Sequence, residues 1–114
     1  MTPDELSQQY KVGERDFQDA QLNQAELSHA NLARADLSHA YLNHADLRHA
    51  DLSDTDLSHA YLSQADLTGA NLSEANLTGA NLSWAELPDA NLSETDLTDT
   101  KRRGAAMPND ITDE

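Results

Sequence analysis

Leucine occupies every fifth position from Leu22 to Leu97 without a gap, Phe17 holds the preceding slot, and nearly every leucine has alanine two residues before it. The unit reads Ala-(Asp/Asn)-Leu-(Ser/Thr)-X, as in Ala35-Asp36-Leu37-Ser38-His39. A period of five suits neither common element. On an α-helix five residues advance about 140° around the axis, so the leucines would point in every direction. On a flat strand successive leucines would fall on opposite faces and take their alanines with them. If each pentad is instead a short extended piece followed by a corner, alanine and leucine point the same way and both face inward. The repeat therefore dictates an all-β solenoid.

Twenty is the second period. Tyr41 and Tyr61, His29 and His49, His39 and His59, and the run Glu26, Asp46, Asp66, Glu86 all sit twenty apart, and Thr55 and Thr95 forty apart. Residues one coil apart stack and tend to match, so four pentads make a turn and the cross-section is square. Pro88 follows a leucine directly, and Gly69 and Gly79 come two after one, which is the preference for the two central positions of a turn. The Ser/Thr-then-polar pairs at most other corners suit type I turns. Thr2-Pro3-Asp4-Glu5 reads as a capping box with proline at the first helical position, and Leu6 and Tyr10 share a face at helical spacing. A short helix ending near Gly13 would cover the otherwise open edge of the first coil. At position 102, where leucine is due, Arg102 stands. These signals divide the chain into a cap (1–14), a coil of about four turns (15–100) and a polar, mobile tail (101–114).

The repeat resembles that of the pentapeptide-repeat proteins, over roughly residues 15–100. The Gly-Glu-Arg-Asp-Phe lead-in (Gly13 to Phe17) and the Gly-Ala-X-Met-Pro lead-out (Gly104 to Pro108) are similar to those of small stand-alone members abundant in cyanobacteria. The resemblance implies a right-handed quadrilateral β-helix. Some members protect DNA gyrase by imitating DNA, but they are much longer than this chain.

The chain's 114 residues make one domain. Few aromatics and a mean hydropathy of −0.72 would ordinarily suggest disorder, a prior that the repeat overrides. With no cysteine there is neither disulfide nor thiolate chemistry. The absence of a long apolar run argues against a membrane span, and the N-terminus lacks the pattern of a signal peptide, so the expected location is the cytoplasm.

Charge is the strongest signal unrelated to folding. The net charge is −14, and between Asp16 and Asp99 fifteen acids are opposed only by Arg34 and Arg48. With twenty residues per turn, Asp16, Asp36, Asp56 and Asp96 line one column, with Asn76 among them, and Glu26, Asp46, Asp66 and Glu86 line another on the opposite side. Unit charges stacked about 4.8 Å apart repel by roughly 0.9 kcal/mol per pair even in bulk water, so something must offset them. One reading has the carboxylates accept local backbone or serine hydrogen bonds and keep the rod soluble. The other has them imitate the charge density of duplex DNA and bind a DNA-binding protein such as a topoisomerase.

Aromatic residues supply the second signal. Tyr41 and Tyr61 stack in one column, and Trp84 shares the adjacent corner column with His44. Exposed tyrosine and tryptophan are enriched at binding hot spots, so Tyr41, Tyr61, Trp84 and His44 are the candidate partner-binding residues. The alternative is a stacked ladder that stiffens the coil edge. His29/His49 and His39/His59 stack at corners, with two ligands per pair too few for a zinc or nickel site, so no metal or other cofactor is expected. A protonation switch near pH 6 is a further possibility at these pairs. Catalysis has little support, because carboxylates and histidines on convex faces lack a desolvated pocket, and no Ser-His-Asp set stands out from the repeat. With no phosphate-cradling glycine loop and only the small Lys101-Arg102-Arg103 basic cluster, direct nucleic-acid binding is not expected. The sequence thus reads as a non-enzymatic, rigid interaction module whose partner is another protein. The alternatives are a DNA mimic and a structural or solubilising protein without a specific partner.

Overall fold

The computed structural model describes residues 1–109. It begins with helix α1, Pro3–Lys11, whose capping box is complete. The Glu5 amide donates to Thr2 Oγ1 (3.1 Å) and the Thr2 amide donates to Glu5 Oε1 (2.8 Å), satisfying groups that a helix start leaves open. Leu6 is buried against the first coil, the Tyr10 hydroxyl donates to the Ala33 carbonyl (2.9 Å), and the Met1 amine reaches the Gln21 carbonyl (3.5 Å). The helix thereby covers part of the coil's starting edge.

From Asp16 to Ala106 the chain is joined by single-residue parallel bridges, each linking a residue to the one twenty further on. The pattern repeats at each pentad. The Leu22 amide donates up to the Tyr41 carbonyl (2.8 Å), the Tyr41 amide donates down to Ala20 (2.8 Å), and the corner Gln24 amide donates up to Asn43 (2.8 Å). Four pentads close each turn, as the twenty-residue spacing requires, and the described coil makes about four and a half turns.

The interior is aliphatic. Leucines from Leu22 to Leu87 are at most 4% exposed, and most of their alanine companions are as deeply buried. Each such leucine contributes about 1.5–3 kcal/mol on burial. Thr55 replaces one alanine and is also buried, its hydroxyl donating to the Leu52 carbonyl (2.7 Å). Leu92 and Leu97 are only half-buried, because they lie in the last described coil, with one neighbouring turn among the described residues instead of two.

The corners are type II turns, not the expected type I. In each, the amide of the fourth residue returns to the carbonyl of the first, as from Ala25 to Leu22 (3.1 Å), and the third residue has positive φ. Among the described residues fifteen non-glycine residues adopt it, from Asp19 (61°) to Asp99 (56°). The reason lies in the stack. A type II turn orients the central peptide so that its N–H meets the carbonyl of the next coil, as His29 does with Arg48 (2.9 Å). Left-handed backbone disfavours most L-residues by roughly 1–2 kcal/mol, and here the ladder bond offsets it.

The expected coil boundary at residue 100 also moves. Lys101 bridges to Asn81 and Ala106 to Glu86, and the Trp84 amide donates to the Arg103 carbonyl (2.8 Å). The ladder is made by backbone and so does not need leucine at position 102. At an end coil, half-covered, the long Arg102 side chain is accommodated in its place. Of the expected mobile tail (101–114), residues 101–106 are coil, and 110–114 lie outside the described residues.

Candidate protein-binding face

The bridges place the acidic positions in the two expected columns, Asp16–Asp36–Asp56–Asn76–Asp96 and Glu26–Asp46–Asp66–Glu86. Most of the short carboxylates fold back over the next corner. Asp36 Oδ1 accepts from both the Ser38 amide (3.0 Å) and the Ser38 hydroxyl (2.7 Å), and Asp56 with Ser58, Asp66 with Thr68 and Asp96 with Thr98 repeat this geometry. Asn76 does the same with Thr78, which explains how Asp and Asn interchange at this position. The Thr98 hydroxyl and amide hold the Asp96 carboxyl below its ordinary range. Asp46 has a different partner: the Arg48 guanidinium donates to both of its oxygens at 2.8 Å and holds its pKa down to about 2.

Tyrosine breaks this scheme at two positions. Tyr41 and Tyr61 stand where Asp or Asn would cap the following corner, and their rings stack at 4.8 Å, 7° from parallel. A phenol cannot bend back to accept from an amide two residues on. The coil below supplies the missing acceptor: the Asn43 amide donates to Asn23 Oδ1 (2.9 Å) and the Ser63 amide to Asn43 Oδ1 (3.0 Å). At the next level Asn81 restores the local cap to Ser83 (3.0 Å). The sequence reading passed over Asn23 and Asn43, although they are the only asparagines that directly follow a core leucine.

On the adjoining corner Trp84 is 57% exposed, with Tyr61 at 40% beside it and His44 exposed below. The indole lies across the peptide of Gly104, one turn up, where any Cβ would collide with ring atom Cε3. Gly69 and Gly79 accept the rings of His49 and His59 in the same way, with Cβ positions 2.5 and 2.6 Å from imidazole Nδ1. Those rings continue the stacks His29–His49 and His39–His59, each at 5.1 Å. The glycines therefore serve ring stacking as well as the turn. Among the described residues no group of three His, Asp, Glu or Cys side chains could hold a metal ion.

Four of the expected site residues, Tyr41, Tyr61, Trp84 and His44, thus fall on one side of the rod, between the two acidic columns. This tyrosine face with its Trp84 corner, built from residues 20–24, 40–44, 60–64, 80–84 and 100–104, contains no aspartate or glutamate. It is flat. The hollows beside α1, one lined by Leu6, Tyr10, Arg15, Leu27 and Leu32, lie at the rod's N-terminal end.

A solenoid with a leucine ladder and four pentads per turn defines a class of repeat proteins. The pentapeptide-repeat family model matches residues 16–54, 55–93 and 75–109, and the chain belongs to that family. Its members have the right-handed quadrilateral β-helix and are generally interaction or structural modules, not catalysts. Among solved structures, the chain is similar to Rfr23, a pentapeptide repeat protein of the cyanobacterium Cyanothece 51142 (42% identity, TM-score 0.77, covering 82% of this chain and 64% of that one). It is also similar to a pentapeptide repeat protein from the Arabidopsis thaliana thylakoid lumen (31%, TM-score 0.67, 83% and 63%). A third is alr5209, a pentapeptide repeat protein from Nostoc PCC 7120 (36%, TM-score 0.54, 97% and 88%). The chain spans somewhat less than two thirds of the first two relatives. No curated protein matches it. Among the described residues no helix is long and apolar enough to cross a membrane.

Proposed function

We propose that this chain is a non-enzymatic, rigid module that binds another protein through its tyrosine face. The observation that carries the reading is the displaced cap. Tyr41 and Tyr61 remove a hydrogen bond found at most other acidic or amide positions of the rod, and two asparagines replace it from below. Stiffening alone would not require rings there, since the Asp and Asn columns stack without them. Exposed Tyr61 and Trp84 supply large, rigid contact area at low entropy cost, the usual anchors of a protein interface.

The local bonds of the Asp columns favour a solubilising role for them over imitation of DNA. A carboxylate already accepting from an amide and a hydroxyl is less available to a partner's cations. On this reading the partner is a protein, with no direct binding to nucleic acid or membrane, and the module works in the cytoplasm without a cofactor. The test is capture of a partner by wild type, by Tyr61→Ser and by Trp84→Ser, at low salt and at about 0.5 M. The reading expects salt-tolerant binding that both variants lose. Binding that both variants retain would reduce the aromatic column to a structural ladder, and binding that collapses in salt would favour charge-driven mimicry.

A further inference from the structure

The tyrosine face carries a lengthwise charge gradient. At its C-terminal end Lys101 and Arg103 are exposed, while no carboxylate occurs along the face itself. At its N-terminal rim Asp4, in the first turn of α1, borders the same hollow as Asn23 and Gln24, with Glu5 next to it. The middle is aromatic. Other charged groups bear on these ends: Glu26, which lines the same hollow as Asp4, the Met1 amine near Gln21, half-buried Arg102 between the two exposed cations, and Asp99 at the corner flanking Lys101.

We infer that a second copy of this chain docks on the tyrosine face, antiparallel, about a two-fold axis between the levels of Tyr41 and Tyr61. The inference rests on the reading of this face as an interaction surface and names its occupant. An axis lying in the interface keeps each column opposite itself and reverses the levels. Tyr41 then meets the partner copy's tyrosine at position 61, Trp84 lies over Gln24, and Lys101 and Arg103 reach the rim that holds Asp4. A parallel pairing would set the basic ends against each other. The two neighbouring faces bear the acidic columns, so in a molecule of net charge −14 the tyrosine face lets a like copy approach with little repulsion. Five levels at about 4.8 Å across a rod some 22 Å wide give roughly 500 Å² per copy, near the lower bound for a specific contact.

Analytical ultracentrifugation over a concentration series tests this. Wild type should show a reversible monomer–dimer equilibrium. Lys101→Glu with Arg103→Glu should weaken it by about tenfold or more, and adding Asp4→Lys to that pair should restore it, with folding of each variant checked by thermal melting. A wild type that is monomeric throughout, a dimer that survives Tyr61→Ser with Trp84→Ser, or a triple variant that fails to recover would each overturn the proposal. If wild type is monomeric yet the aromatic variants still lose a captured protein, the binding face stands and self-pairing alone fails.

Discussion

Leu57 sits in the middle of the stack with no measurable exposure, between equally buried Leu37 and Leu77. Truncation to alanine leaves a void that neighbouring coils, fixed by their ladders, cannot close, so Leu57→Ala should lower stability by about 2–5 kcal/mol in chemical denaturation. Leu57→Glu should abolish cooperative unfolding, since a carboxylate there has no partner and no water. Asp46 predicts a pH effect. Its folded pKa of about 2 lies below the ordinary aspartate value, so its pairing with Arg48 stabilises fully above about pH 4 and is lost as pH falls through 2. Asp46→Asn should therefore melt below wild type at about pH 5, with the gap closing by about pH 2. The inward leucines were legible in the sequence because one side-chain type recurs at one interval. The caps from Asn23 and Asn43 were not, because they repair a bond whose absence shows only once the direction of the tyrosines is known.

At the level of elements, the corner decides more than the straight piece. Serine or threonine followed by a polar residue is compatible with both type I and type II turns, and the choice falls to the hydrogen-bond ladder, which sequence chemistry does not display. Gly104 offers a check on the corner and on its ring. Gly104→Ala places a methyl group against the indole at φ 71°, so it should both destabilise the last coil and shift the emission of Trp84, the sole tryptophan. For α1, Thr2→Ala removes the cap acceptor of Glu5 and should destabilise the helix by about 0.5–2 kcal/mol, read as faster amide exchange in residues 4–11. The helix was legible because a capping box is a local signal. The end of the coil was misplaced because a backbone ladder continues through Arg102 without the leucine that marks it elsewhere.

Over the whole molecule, charge opposes the core. A net charge of −14 on a rod this slender raises the free energy of the folded state, and salt should relieve it. The melting temperature at neutral pH should therefore rise as monovalent salt increases toward about 0.5 M, where screening reaches within a few ångströms. A flat or falling trend would mean that the carboxylate columns are already neutralised within the fold. The twenty-residue closure bears on how such a chain can change length. Loss of twenty residues between Tyr61 and Trp84 would lower the tryptophan by one storey and leave it above the same side. Loss of a single pentad there would rotate everything beyond it by a quarter turn, carrying the indole and the basic cluster round to a carboxylate-bearing side while leaving the leucine core unbroken. Length variants of this architecture can thus stay folded and yet lose their surface pattern, so whole-turn insertions and deletions are the ones compatible with a retained binding face.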